Sequence, residues 1–259
     1  MDAPVVQVRD LHKRLDHTVV LRGVSFTVEP HEVFVIMGHS GAGKSVLLKH
    51  LVGLLRPDAG EIFIWDTPVH ALEEDQLDGL RRRVGVVFQS GALFDSLTVG
   101  ENVAFPLQRH RQLDEAAIHE AVAIRLSLVD LSGKEDLMPA VLSGGMRKRV
   151  SIARALALNP EIIFYDEPTS GLDPPTARAV DALIRRLRIY LGVTSVVVTH
   201  DLDTAFGIAD RIAVLGGGTL IAVGTPQEIL ADPRPEIRRF LTPRAFAHVA
   251  PTHDTLGGV

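Results

Sequence analysis

Apolar and polar side chains alternate at the start of the chain. Residues 5–8 and 24–28 carry this period of two, which predicts half-buried strands, with Leu21 just ahead of the second. Val33–Met37 is different: five apolar residues in a row predict a strand buried on both faces. A glycine-rich turn follows, and then helical spacing over 44–55, ended by Pro57 and Gly60. Residues 61–65 and 84–88 predict further strands. From 97 to 159 the strand signal nearly vanishes, and 114–131 has helical spacing. Strands resume at 162–165, 195–199 and 211–215. This order predicts a mainly parallel α/β core interrupted by a helical lobe at about 97–159. After Leu241, Pro243, Pro251, Gly257 and Gly258 break the pattern, so 242–259 reads as a loosely ordered tail.

No apolar run approaches the ~18 residues of a membrane span, so the chain is not expected to cross a membrane by itself. The start, Met1-Asp2-Ala3-Pro4, lacks the apolar region of a signal peptide. At 259 residues the length fits one large domain, or one domain with an inserted lobe. The absence of cysteine excludes disulfides, thiolate metal sites and cysteine nucleophiles. A net charge of −5 supplies no general pull towards nucleic acid, so no such partner is expected. The 11 histidines show no ligand spacing with acidic partners, so no zinc site is expected.

Gly38-His39-Ser40-Gly41-Ala42-Gly43-Lys44-Ser45 joins the buried strand to the helix. It fits G-x-x-x-x-G-K-[ST] in the context that motif requires. Its glycines let successive N–H groups turn inward on an anion, and the helix N-terminus adds partial positive charge. Lys44 would meet the β- and γ-phosphates of a nucleotide, and Ser45 would offer its hydroxyl to Mg²⁺. Further on, a buried strand ends in Asp166-Glu167. Two carboxylates at that edge are costly without a cation or proton to handle, and in an open α/β sheet that edge is where ligands sit. Asp166 would hold Mg²⁺, directly or through water, and Glu167 would polarise the attacking water.

Between these motifs lies Leu142-Ser143-Gly144-Gly145-Met146-Arg147, and after them come Ser170-Gly171-Leu172-Asp173 and Thr199-His200-Asp201. The ordered set, from about residue 5 to about residue 231, resembles the ATP-binding cassette (ABC) ATPases. That resemblance implies a P-loop NTPase fold with a RecA-like mixed sheet, an N-terminal antiparallel β subdomain and an inserted helical lobe, over residues 5–241. It also implies hydrolysis of ATP with Mg²⁺ in a head-to-tail dimer. Ser143, Gly144 and Gly145 of one copy would cradle the nucleotide held by residues 38–45 of the other, with Asp173 in the contact between them. His200 would touch the γ-phosphate and hold Glu167 and water in line, and Gln89 would sense Mg²⁺ and relay nucleotide state to the lobe. The family's adenine-stacking aromatic has its register near Leu15, within His12-Lys13-Arg14-Leu15-Asp16-His17, so that stack is lost or replaced.

Phe88-Gln89-Ser90-Gly91-Ala92-Leu93-Phe94, Asn102-Val103-Ala104-Phe105-Pro106-Leu107, Leu137-Met138-Pro139 and Met146 are similar to the MlaF type of MCE-associated phospholipid-transport ATPases. That narrower resemblance implies a motor on the cytoplasmic face of a bacterial inner membrane. Its partners would be MlaE-type permease subunits, with a STAS-domain (MlaB-type) protein and a periplasmic MCE (MlaD-type) protein in the system. A cassette for another small solute, or a soluble P-loop regulator, are the alternatives. Leu93, Phe94, Phe105 and Leu107 read as lobe core, as a groove for a permease helix, or as both. The basic residues Arg147, Lys148, Arg149 and Arg154, and the run Arg81-Arg82-Arg83, read as solvated. Phe240, Leu241 and Phe246 are expected to pack on a second copy.

Overall fold

The computed structural model describes residues 3–110 and 113–241. Two sheets organise it. The first is antiparallel, built from β1 (Val6–Leu15), β2 (Thr18–Val28), β4 (Ala59–Ile64) and β5 (Thr67–Pro68) in the order β2-β1-β4-β5. The second contains β3 (Val33–Met37), β6 (Val84–Val87), β7 (Ile162–Asp166), β8 (Thr194–Thr199), β9 (Arg211–Gly216) and β10 (Thr219–Gly224). Its order is β10-β9-β3-β8-β7-β6, parallel except for the hairpin strand β10.

The unbroken apolar run of β3 is buried at all five positions. Val33, Val35 and Met37 face one hydrophobic core, while Phe34 and Ile36 face the other. Helix α1 (Lys44–Leu51) fills the second core with Leu47, Leu48 and Leu51. Helix α2 (Glu74–Arg81) adds Leu77 and Leu80 to it. Between β6 and β7 run α3 (Val99–His110), α4 (Glu115–Leu128) and α5 (Gly144–Ala155). These pack on the first core with α6 (Pro174–Leu191) and α7 (Leu202–Ile208). Two short helices, α8 (Pro226–Ala231) and α9 (Pro235–Leu241), close the described chain.

Several elements depart from the sequence reading. Helix α1 stops at Leu51, before Pro57, because Gly53 adopts φ 68 and turns the chain. Strands β1 and β2 run well beyond 5–8 and 24–28, because register shifts in β1 hide the simple alternation. Strand β10 carried no sequence signal that separated it from a loop. Phe240 and Leu241 are 7% and 5% exposed and belong to the chain's own core, so neither waits for a second copy. Phe246 and the tail 242–259 lie outside the described residues.

Candidate nucleotide site

The parallel register sends the carboxyl ends of β3, β6, β7 and β8 to one edge. Residues 38–45 leave β3 there and enter α1. Two glycines are required by the geometry. A Cβ on Gly38 would stand 2.5 Å from the Leu215 carbonyl oxygen, and Gly43 caps α1 at φ 99. No side chain caps α1 and no acid occupies its first turn, so its N–H groups stay available to an anion.

Lys44 is buried, and its Nζ donates to the backbone oxygens of Gly38 (2.8 Å) and His39 (3.1 Å). Glu167 Oε1 lies 3.7 Å away. Burial lowers the Lys44 ammonium from its usual range, and the Glu167 and Asp166 carboxylates oppose that shift. Ser45 Oγ donates to Asp166 Oδ1 at 3.1 Å, joining α1 to the end of β7. Burial raises the Asp166 carboxyl, against the Ser45 hydrogen bond. Hydroxyl and carboxylate form an all-oxygen pair beside a phosphate loop, the donor chemistry of Mg²⁺, which takes one or two protein ligands and otherwise phosphates and water. The residues therefore fit both ATP and its ion.

Glu167 is 7% exposed and holds a left-handed backbone, φ 48. Its N–H donates to Val198 O at 2.9 Å, across to β8. Its Oε2 accepts from His200 Nδ1 (2.9 Å), from Thr199 Oγ1 (3.3 Å) and from the His200 N–H (3.4 Å). The end of β8 thus orients one carboxylate oxygen, while the other faces Lys44.

The remaining residues named from the sequence divide. Gln89, after β6, points its amide at Ser170 Oγ (3.4 Å), and no hydrogen bond joins that amide to Ser45 or Asp166. Ser143 caps α5 by accepting from Met146 N at 3.2 Å. Gly144 and Gly145 abut Leu172 and Thr176 at the start of α6. Asp173 caps α6 by accepting from Thr176 N, and bonding to Thr176 lowers its carboxyl. Ser40, Gly41 and Ala42, with His39, line a recess of about 350 Å³ together with Val19 and Val20 of β2. Leu15, where the aromatic's register falls, is a partly exposed leucine at the end of β1. The ring that does meet the phosphate loop is Phe240, 4.6 Å from His39.

The basic residues divide: Arg82, Arg83 and Arg147 are exposed, as the sequence reading expected, whereas Lys148 is buried and Arg154 half-buried. Arg82 pairs with Asp78 (2.9 Å), Arg83 with Glu161 (2.7 Å) and Arg81 with Glu74. Lys148 is buried, and Arg154 donates to Gly91 O and Ala92 O. Sequence reasoning missed both, although Gly145, Lys148 and Ile152 share one helical face. Leu107 is core and Leu93 packs on it. Phe94 and Phe105 instead remain partly exposed, ring centroids 4.7 Å apart, in a groove of about 480 Å³ with Val86, Phe88 and Pro106. Among the described residues no helix is long and apolar enough to cross a membrane.

A phosphate loop, an acid pair and a histidine on one sheet edge, with a second glycine turn on an inserted lobe, define a nucleotide-hydrolysing cassette. A family description, ABC transporter, matches residues 21–170, and the chain belongs to that family. It is an ABC transporter ATPase subunit that binds ATP, with Mg²⁺ as the usual partner ion.

Among curated relatives, the chain is 40% identical to the intermembrane phospholipid transport system ATP-binding protein MlaF of Escherichia coli, over 92% of this chain and 89% of that protein. It is 42% identical to the methionine import ATP-binding protein MetN of Mesorhizobium japonicum, over 92% of this chain and 65% of that one. It is 38% identical to the probable ribonucleotide transport ATP-binding protein mkl of Mycobacterium tuberculosis, over 96% and 69%. Among solved structures, cbiO1 of Clostridium perfringens matches with TM-score 0.82 and 30% identity, covering 95% of this chain and 97% of that one. A dimeric post-hydrolysis state of the cassette MJ0796 bound to ADP and Pi matches with TM-score 0.78 and 33% identity, covering 85% and 98%.

Proposed function

We propose that this chain is the motor subunit of a phospholipid-transport complex, working as a head-to-tail pair beneath MlaE-type permease subunits at the cytoplasmic face of a bacterial inner membrane. An MCE (MlaD-type) protein would handle lipid on the far side, and a STAS-domain (MlaB-type) protein would bind the ATPase. The observation that carries the lipid reading is the groove at Phe94 and Phe105. Phe88, Ala92, Phe94, Phe105 and Pro106 of its lining belong to 88–94 and 102–107, the segments that resemble the MlaF type; β6, His110 and the end of α5 with Arg154 also line it, and its mainly apolar lining suits a short permease helix. The likeness to MlaF supports the same reading. The comparable identity to MetN supports a second one, an importer of a small solute such as an amino acid.

In the proposed reaction the 38–45 backbone and Lys44 hold the β- and γ-phosphates. Mg²⁺ would be held by Ser45 and Asp166 and would supply neutralisation of phosphate charge; the Gln89 amide, expected to sense it, would have to turn from Ser170. Glu167 accepts the proton of the attacking water. Its Oε2 is occupied by β8 donors, which leaves Oε1 for that task. His200 bonds the carboxylate through Nδ1, which leaves Nε2 for a phosphate oxygen. Ser143, Gly144 and Gly145 serve the partner's nucleotide, and Asp173 lies in the contact between copies.

Affinity purification of the full chain from detergent-solubilised membranes tests the assignment. Co-purification of a permease, an MCE protein and phospholipid is the expected result. A solute-binding protein in the complex, or ATPase stimulation by a small solute, would overturn the lipid reading in favour of the second.

A further inference from the structure

Three side chains on α5 reach the loop that follows β6. Lys148 Nζ donates to Gln89 O, Ser151 Oγ to Gly91 O at 2.7 Å, and Arg154 to Ala92 O at 2.7 Å and Gly91 O at 2.9 Å. They stand three residues apart along the helix, so the signature helix holds this loop carbonyl by carbonyl. Ser151 and Arg154 hold only the loop. Lys148 does more: its Nζ also donates to Glu167 O at 3.1 Å.

That second bond falls where the backbone needs it. A non-glycine residue at φ 48 persists only when its surroundings over-determine it. For Glu167 the N–H is taken by Val198 O, and the C=O accepts from the backbone N–H of Ser170 at 3.2 Å and from Lys148, the one side chain among these partners. Burying an ammonium is costly unless polar groups replace its water, and Lys148 is 6% exposed, so its place between two carbonyls is a committed one. It is the side chain that joins signature helix, loop and Glu167 at one atom.

We propose that Lys148 is a positioning residue for hydrolysis, tying α5 and the loop at Gln89 to the backbone of Glu167, so that the carboxylate is set for proton abstraction only while helix and loop are seated. This rests on Glu167 being the general base. Movement of the 89–92 loop, which borders the Phe94 groove, would then reach the base through one ammonium group.

Steady-state ATPase kinetics of the full chain with Lys148→Met and Lys148→Gln test it. Methionine keeps length without donors; glutamine keeps an N–H₂ group that can bond the carbonyls. The methionine variant is expected to lose about tenfold or more in kcat, with KM for ATP within about twofold. The glutamine variant should fall between it and the parent. A Lys148→Met enzyme with the parent's kcat overturns the proposal. So does a loss in which KM rises and Tm falls in step with no recovery in Lys148→Gln, since that marks packing alone. If Lys148→Met does not fold, the glutamine variant decides: reduced kcat at unchanged KM supports the tether, and the parent's kcat refutes it. Glu167→Gln separates the two levels. Normal turnover in that variant removes the base assignment, whereas a dead Glu167→Gln beside a normal Lys148→Met removes the tether alone.

Discussion

Glu167 carries two constraints at once, a strained backbone and a carboxylate with one oxygen fully engaged. General-base chemistry contributes about 10²–10⁴ in rate. Glu167→Gln, which keeps shape and removes the base, should therefore lower turnover at least about a hundredfold while nucleotide still binds. Rapid-quench hydrolysis beside equilibrium nucleotide binding measures both. Asp181 offers a prediction with a pH sign. Its Oδ2 accepts from Thr204 Oγ1 at 3.1 Å, Thr204 bonds Thr169 at 3.0 Å, and its Oδ1 is buried without a partner. Burial pushes this carboxyl up from 3.8 to about 6, against the Thr204 bond, with Asp201 and Asp203 raising it and Arg185 lowering it. The folded state thus holds the proton more tightly than the unfolded chain. Its contribution to stability is full below the ordinary value and is lost as pH rises through about 6. Asp181→Asn should gain in Tm relative to the parent as pH rises from about 4 to about 6, and hold that gain above it. A Tm difference that stays flat with pH would contradict this. The placement of residues 38–45, 166–167 and 200 was legible because each stands at or just past the end of a strand in a fixed local pattern. Asp181, Lys148 and Arg154 were not, since a polar residue on a helix reads as solvated until its neighbours are known.

At the scale of elements, the segment from 94 to 98 depends on one amide. Asn102, fully buried in α3, accepts from Phe94 N (2.9 Å) and donates to the carbonyls of Phe94, Leu97 and Thr98. This fixes where the Phe94 ring enters the groove. Asn102→Leu removes the partner of Phe94 N and of the Leu97 carbonyl, while the Phe94 and Thr98 carbonyls keep backbone donors, and should cost about 1–3 kcal/mol of stability, with coupling to the proposed permease lost before basal hydrolysis. Chemical denaturation and the ratio of permease-stimulated to basal ATPase read the two effects. Helix α4 was legible from its spacing, with Asp114 as its N-cap accepting from Ala117 N. Strand lengths were not, because bulges and the end of α1 depend on backbone angles that composition does not reveal.

For the whole molecule, the glycines of the signature turn abut Leu172 and Thr176 at the start of α6, and the proposed role of Ser143 and these glycines is to serve the nucleotide of a second copy. The head-to-tail proposal then makes a mixing prediction. Lys44→Ala and Ser143→Arg should each be inactive alone. Mixed one to one, half the pairs carry one intact composite site, so up to about a quarter of the parent's hydrolysis should return. Recovery of nothing would argue that each copy works alone. The tail 242–259 belongs to this scale too, and removing it tests its role in pairing. In the proposed complex the exposed Phe94 and Phe105 rings are the face for a membrane partner, and among the described residues no helix is long and apolar enough to span a membrane.

The sequence by itself determined the chemistry that is local: a phosphate loop of eight consecutive residues, an acid pair closing an apolar strand, a glycine turn ahead of a helix. Such features are carried by neighbouring residues, so spacing and side-chain type suffice. Only the tertiary structure decided what depends on strand order and helix contact. Placing β8 between β3 and β7 brings His200 to Glu167 and Glu167 to Lys44. Packing α5 on the loop after β6 turns Lys148 from a surface charge into a buried link. Packing also turned Phe240 inward against the phosphate loop. These contacts join residues far apart in the chain, and their energies come from burial and shared hydrogen bonds that no single segment contains.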